Sequence, residues 1–481
     1  MSLYEDAPLY QMLKKYRSEK PLPFHMPGHV MGRGLPPELT EAGSLDITEI
    51  PGADCLHSPD GIIEKAQALA ARAFGAEESF FLVNGSTSGV YAMIRAVAGP
   101  GDKLIIDRDC HRSVLYGLAL VQGEPVFVKP RRNNASGLPA GVGEEEVREA
   151  LQKHPDARGV LLTRPNYYGA APNLKKIAES CHQHGIPLLV DEAHGAHFIF
   201  HPRLPETAME QGADVCVQSL HKTLPALTQT ALVHRRKGSL VSQGRLAASV
   251  SMYQTTSPSY VLMASIDTAR SFMENKGEEL YDNLLESLDQ FDQRLSQRKG
   301  IKRAEVRSER VESDPTRLVI SVSGTGRDGF QAEALLRRET GVVSEMADPE
   351  HVVLITTPFH RQEDFIRLEK ALEKLESSPD FKTKGLGTFR ESLSLPLPPE
   401  PERVIPLWKA LWGRTRTVSL SSGEGAVCGQ ALVPYPPGIP LIYPGERISR
   451  EAVNYLEALL KMGGTVHGVK NGKISIWSEA D

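Results

Sequence analysis

The sequence predicts an α/β fold: a large domain on a mainly parallel sheet, then a smaller α/β unit and a C-terminal domain. Three observations predict it. Between residues 80 and 235, seven short apolar runs recur with amphipathic stretches between most of them. The runs are continuously apolar, as strands covered on both faces should be. The pattern then restarts beyond residue 300, after a long helical stretch.

Residues 1–60 read as an N-terminal arm and 61–300 as the large domain. Its strand-like runs are Phe80–Val83, Lys103–Asp107, Pro125–Val128, Gly159–Thr163, Ile186–Val190, Asp214–Gln218 and Thr230–His234. Leu174–His184 is one of the helical patterns between them, and residues 260–297 are mostly helical. Residues 301–380 form a small α/β domain, with strands at Arg317–Val322 and Val352–Thr356. Phe365, Leu368, Leu372 and Leu375 mark one face of a following helix. Residues 381–406 carry Gly385, Gly387, Pro396, Pro398, Pro399, Pro401 and Pro406, a linker composition. Residues 407–481 are the C-terminal domain, with a Pro-rich string from Val433 to Pro440.

A chain of 481 residues buries a core without disulfides or metal. Charges are 55 Lys and Arg against 60 Asp and Glu, a net of -5. That balance argues against nucleic acid and against a polybasic membrane surface as partners. No apolar run approaches the roughly 18 residues of a membrane span, and Met1 to Tyr10 lack the apolar core of a secretory signal. The five cysteines are scattered and make no Cys-x-x-Cys pair, so neither a disulfide framework nor a zinc site is expected. The compartment reads as reducing, most simply cytoplasmic.

Three segments carry chemistry. Asn84-Gly-Ser-Thr-Ser-Gly89 follows the run at Phe80–Val83 and opens a helix. Glycines and hydroxyls at such a turn offer backbone N–H groups, side-chain donors and a helix dipole to a phosphate. Alone, the segment is equally a capped helix after a tight turn. Asp191, in Leu188-Leu-Val-Asp-Glu-Ala-His-Gly195, stands just past an apolar strand, where acids face the ligand crevice. A carboxylate there suits a metal, a ribose, a ring nitrogen or a structural ion pair. No second ligand pair at helical spacing supports a metal. Lys222, in Gln218-Ser-Leu-His-Lys-Thr223, ends another strand 31 residues later. Burial beside other donors lowers the pKa of such an amine and suits it to Schiff-base chemistry.

Together they say more than each alone. A phosphate loop, an acid at a strand end and a lysine at a strand end, in that order, are what pyridoxal 5′-phosphate (PLP) requires. The loop anchors the phosphate, the acid keeps the pyridine nitrogen protonated, and the lysine carries the aldehyde.

Longer motifs surround these segments: Phe24-His-Met-Pro-Gly-His29, Leu45-Asp-Ile-Thr-Glu49, Asp54-Cys-Leu-His-Ser-Pro-Asp-Gly61, Asp109-Cys-His-Arg-Ser113, Asp191-Glu-Ala-His-Gly-Ala-His197, Ser219-Leu-His-Lys222 and Tyr435-Pro-Pro-Gly-Ile-Pro440. The composite resembles the ornithine/lysine/arginine decarboxylases of the aspartate-aminotransferase fold (PLP fold type I), and in particular their short bacterial arginine/lysine decarboxylase-like members. With 24 residues before His25, no room is expected for the extra N-terminal domain of the large inducible members.

The resemblance implies roles. Ser86 and Thr87 bind the cofactor phosphate, assisted by Ser219 and His221. His111 stacks on the pyridine ring, Ala193 packs its other face, Asp191 pairs with its nitrogen, and Lys222 holds the cofactor covalently. Thr256, in Gln254-Thr-Thr-Ser-Pro258, reaches the phosphate of a neighbouring subunit, so a homodimer or higher homo-oligomer is implied. The implied reaction is decarboxylation of a basic amino acid, arginine before lysine and ornithine, in polyamine biosynthesis. The alternatives are another PLP reaction such as transamination, which an α-carboxylate-binding arginine such as Arg317 or Arg327 on the second domain would support, or a non-catalytic PLP-binding paralogue. Two positions depart from the family pattern: Val30 stands where a lysine is common, and Gln430 where an acid precedes the Tyr435 string. Glu345 and Glu446 are the acids considered as substitutes for it.

Overall fold

Strands form where β-branched and aliphatic runs meet helices on both sides, and the core records this with a period of two. Leu104 and Ile106 pack with Leu161, Leu189, Val215 and Val217 on one face, while Ile105 packs with Val160, Leu162, Leu188 and Val190 on the other. A computed structural model describes residues 3–308, 311–377, 397–435 and 438–478. Gly385, Gly387 and Pro396 of the linker lie outside them, as do Pro436 and Pro437.

The central sheet has seven strands: β1 (Glu78–Leu82), β2 (Lys103–Asp107), β3 (Glu124–Val128), β4 (Val160–Thr163), β5 (Leu188–Asp191), β6 (Val215–Ser219) and β7 (Ala231–Arg235). Their order is β1-β7-β6-β5-β4-β2-β3. From β6 to β3 the pairing is parallel, and β7 runs against both its neighbours. The predicted strand at 186–190 begins instead at Leu188, because Pro187 has no N–H to give the ladder.

Helix α1 (Pro8–Ser18) belongs to the arm, α2 (Gly85–Val97) and α3 (Arg112–Val121) cover one face of the sheet, and α4 (Lys175–Gln183) the other. Helix α2 lies hard against the sheet at Gly89, where a Cβ would stand 2.6 to 2.8 Å from Val217, Leu82 and Val233 side chains. Close packing there sets the start of α2 beside the ends of β1 and β6.

The helical stretch after residue 260 is a single helix, α5 (Tyr260–Leu295), of 36 residues. It leads to a second, four-stranded sheet with β8 (Lys302–Arg303), β9 (Arg317–Ser321), β10 (Met346–Ala347) and β11 (His351–Ile355) in the order β8-β9-β11-β10. Helices α6 (Gly329–Thr340) and α7 (Gln362–Ser377) cover one face, and Phe365, Leu368, Leu372 and Leu375 of α7 are all buried in the same core as α5. The last part holds the pair β12 (Thr415–Ser419) and β13 (Lys473–Trp477) with helix α8 (Arg450–Lys461) on a core of its own. Among the described residues, no helix is long and apolar enough to cross a membrane.

Candidate active site

The site lies at the C-terminal edge of the parallel strands. Asp191 closes β5, and Ser219 closes β6 two residues beyond the partner of Asp191 in the ladder, Val217. A short helical turn, Leu220–Lys222, then carries Lys222 over that edge. Strand neighbours stand about 4.8 Å apart, so carboxylate and amine share one small space. Burial lowers the Lys222 pKa, Asp191 opposes this, Arg317 adds to it, and Glu345 opposes it more weakly.

Asp191 is buried, and its Oδ1 accepts from the Ala193 N–H at 3.2 Å. Ala193 is buried beside it. His111 caps α3: its Nδ1 accepts from the Ser113 N–H at 3.3 Å and lies 2.8 Å from Ser113 Oγ. Burial pushes the His111 imidazole down, Asp191 opposes that, and Lys222 reinforces it, so the ring is neutral at pH 7 and faces both groups.

At the start of α2, Gly85 takes φ of +74° and its N–H donates to the Gln229 carbonyl, which turns the chain into the helix. Asn84 precedes it without a side-chain cap, so the N–H groups after Gly85 in the first turn are left uncapped by its side chain. Ser219 Oγ donates to Ser86 Oγ at 2.7 Å, bringing the two predicted hydroxyls together across 133 positions of sequence. Thr87 is exposed on the same turn. His221 is half-buried, with Nδ1 3.0 Å from the Thr230 carbonyl oxygen. Thr256 is exposed on a bend tied to the sheet by Gln254, which accepts from Val83 N–H and donates to the Phe81 carbonyl.

Residues without a sequence-assigned role complete the site. His194 Nε2 lies 3.0 Å from Lys222 Nζ, and Arg317 Nη2 donates to His194 Nδ1 at 2.9 Å. Tyr167 stacks at a tilt on the His194 ring, 4.6 Å between centroids. Arg317 is fully buried, and Asp314 Oδ2 stands 3.6 Å from its Nε. His194 stood inside the Asp191–His197 motif but carried no signal of its own. Arg317 is one of two arginines the sequence offers for a substrate carboxylate without placing either, and the docking of the second sheet brings it here.

The two departures fall in different surroundings. Val30 is half-buried in the arm with φ of +51°, a region branched side chains seldom enter. Gln430 is exposed, and its carbonyl accepts from Cys428 Sγ. Glu446 is not available to a substrate: it is buried and held by Arg108 through two bonds of 2.8 and 3.0 Å. Glu345 is exposed, and its charge acts on Lys222, Arg317 and Tyr167.

A mainly parallel sheet with helices on both faces, and a lysine and a carboxylate on neighbouring strand ends, belong to the aminotransferase-like fold of PLP-dependent enzymes. The ureidoglycine–glyoxylate aminotransferase of Bacillus subtilis superposes with a TM-score of 0.53 over 68% of this chain and 88% of that one, at 12% identity. The chain belongs to the Orn/Lys/Arg decarboxylase family: the model of the family's major domain matches residues 7–311 and that of its C-terminal domain residues 407–472. It is thus an amino-acid decarboxylase of the PLP-dependent class. It is similar to the arginine decarboxylase of Bacillus subtilis, 38% identical over 98% of this chain and 97% of that protein. The lysine decarboxylase LdcF of Francisella novicida shares the fold, with a TM-score of 0.84 over 98% of this chain and 80% of that chain at 22% identity.

Proposed function

We propose that this chain converts arginine to agmatine, with PLP held on Lys222. Lysine and ornithine are the next substrates in order, polyamine biosynthesis is the context, and the cytoplasm is the compartment. The observation that carries the proposal is Lys222 beside Asp191 at two neighbouring strand ends, with the Ser86–Ser219 hydroxyl pair at the open start of α2.

These residues fit the cofactor by their chemistry. Among the described residues Asp191 forms no ion pair, and a buried carboxylate without a cation calls for a proton-bearing partner such as a ring N–H. The α2 first-turn N–H groups with Ser86, Thr87, Ser219 and His221 make an anion cradle. Bound there, the pyridinium ring supplies an electron sink at the substrate's α-carbon. Asp191 keeps the proton on the ring nitrogen. Neutral His111 and the small Ala193 close the two ring faces and exclude water. Thr256, exposed on its bend, serves the phosphate site of a second copy in a homodimer. The substrate's cationic end goes to Glu345, the acid left open once Glu446 is committed to Arg108.

The same reading assigns the arm to residues 1–60, the cofactor domain to 61–300, the small domain to 301–380, the linker to 381–406 and the C-terminal domain to 407–481.

A second reading, transamination on the same fold, draws on Arg317, whose Nε and Nη1 have no hydrogen-bond partner among the described residues and suit a substrate carboxylate. One assay separates the two. Carbon dioxide release is measured with arginine, lysine and ornithine, and borohydride-reduced protein is mapped by mass spectrometry. Release greatest with arginine, and the adduct on Lys222, are expected. Keto acid without carbon dioxide would favour the second reading, and an adduct on another lysine would end the site assignment.

A further inference from the structure

His194 joins the two sheets at the candidate site, and its hydrogen-bond pattern has one solution. Arg317 Nη2 donates to Nδ1, and a guanidinium has donors only and does not deprotonate in proteins. Nδ1 is therefore the bare nitrogen of the ring. Burial, with the permanent charge of Arg317 adding to it, holds the imidazole well below its usual pKa, so the ring is neutral. A neutral imidazole with Nδ1 bare carries its hydrogen on Nε2. Nε2 is the atom 3.0 Å from Lys222 Nζ, so in that bond Nε2 donates. Lys222 Nζ must then accept, and only an uncharged amine has the lone pair to do so; an ammonium has three donors and no acceptor.

We infer that His194, fixed in one tautomer by Arg317, is a positioning residue that holds Lys222 as the free amine. Arg317 is itself fixed. Asp314 stands beside its Nε, and Asp314 Oδ1 accepts from the Thr316 N–H and hydroxyl and meets His197 Nε2 at 3.2 Å. Tyr167 packs against the His194 ring. The groups facing Lys222 from other elements are Asp191 at the end of β5, His111 at the start of α3, and Arg317 and Glu345 from the second sheet. Asp191 and Glu345 favour the ammonium, so geometry has to prevail over two carboxylates. Because Arg317 starts β9 and Lys222 follows β6, the state of the amine depends on the second sheet being docked.

The inference rests on Lys222 being the cofactor residue, and its test does not pass through the cofactor. The full-length chain, stripped of PLP, is labelled with trace acetic anhydride across a pH series, and acetylation of Lys222 is read against exposed Lys302 by mass spectrometry. Lys222 should titrate below Lys302. Arg317→Met lets the hydrogen move to Nδ1 and turns Nε2 into an acceptor for an ammonium. Labelling of Lys222 at neutral pH should then fall about tenfold, a shift of about one pH unit. His194→Gln should keep the wild-type profile, because its carbonyl accepts from Arg317 while its amide donates to Lys222. Titration of wild-type Lys222 together with Lys302, or an unchanged profile in Arg317→Met, overturns the inference. Should Arg317→Met not fold, neutron diffraction of the wild type decides: deuterium on Nε2 supports the tautomer and deuterium on Nδ1 overturns it. A borohydride adduct on another lysine would sink the cofactor reading and leave these outcomes as they stand.

Discussion

Asp191 ends β5 with a backbone N–H on its carboxylate and Lys222 nearby. Its replacement by Asn keeps shape and hydrogen bonding but, on the proposed reading, removes the charge that would hold a ring proton. Turnover of Asp191→Asn should drop roughly a thousandfold or more, with cofactor still retained by the cradle at α2. Steady-state kinetics beside an absorbance spectrum check this; near-normal turnover would place Asp191 away from the ring. A second carboxyl, Asp107 at the end of β2, behaves differently. Burial, with Asp109 adding to it, pushes Asp107 up to about 8. Below about pH 4 it is protonated folded and unfolded alike. As pH rises toward about 8, the unfolded chain has released a proton that the folded chain still holds. Stability from this group therefore falls by about 1.4 kcal/mol per unit and levels off above about 8. Asp107→Asn should flatten that decline, so that urea midpoints at about pH 5 and about pH 8 draw together. Midpoints as far apart as in wild type would show that Asp107 ionises freely when folded.

Among the elements, the turn between β2 and α3 carries both His111 and a buried ion pair to the C-terminal part. The Arg108 guanidinium lies 4.7 Å from the ring centroids of both Phe127 and Tyr443, which stack on each other, and it is paired with buried Glu446. Tyr443 Oη donates to the Arg108 carbonyl, and Glu446 also accepts from the Tyr443 N–H. Glu446→Gln breaks a buried pair from one side and should cost about 3–5 kcal/mol, read as a lower denaturant midpoint. A change below about 1 kcal/mol would mean that water replaces the lost partner. Nothing in the sequence pairs Arg108 with a residue more than 300 positions away. The same reason separates what was legible from what was not. Strand runs showed because apolar continuity is local, and the observed ends differ from the predicted ones by one or two residues, as at Pro187. The Asp191 and Lys222 positions showed because one closes such a run and the other follows directly after one. His194, Arg317 and Tyr167 did not, because their meeting depends on how two sheets dock, which no local pattern encodes. The reversed β7 was equally hidden, since an apolar run has no direction.

At the scale of the whole molecule, the arm exposes what a lone chain would bury. Leu22 is 71% exposed, Phe24 93% and Met26 69%, although the neighbouring His25 and His29 are hydrogen-bonded to Tyr16 and Asp46. An ordered segment that turns three large apolar groups outward suits a subunit interface. Phe24→Asp should weaken self-association about tenfold or more in sedimentation, and activity should fall with it on dilution. An association constant equal to that of wild type would remove the arm from the interface.

The reversal of β7 bears on how such a protein diversifies. Residues 220–230 leave β6 and enter β7 at the same edge of the sheet, whereas a parallel successor would have needed a crossover of a dozen or more residues over one face. The lysine thus stands on a short arch with both feet bonded into the ladder. Insertions there displace the amine, so inherited change has little room on the arch itself. Room remains on Glu345 and Tyr435, which approach Tyr167 from separate later stretches of the chain. New substrates are expected to arise by change in those stretches, while the chemistry is handed down with the strand order.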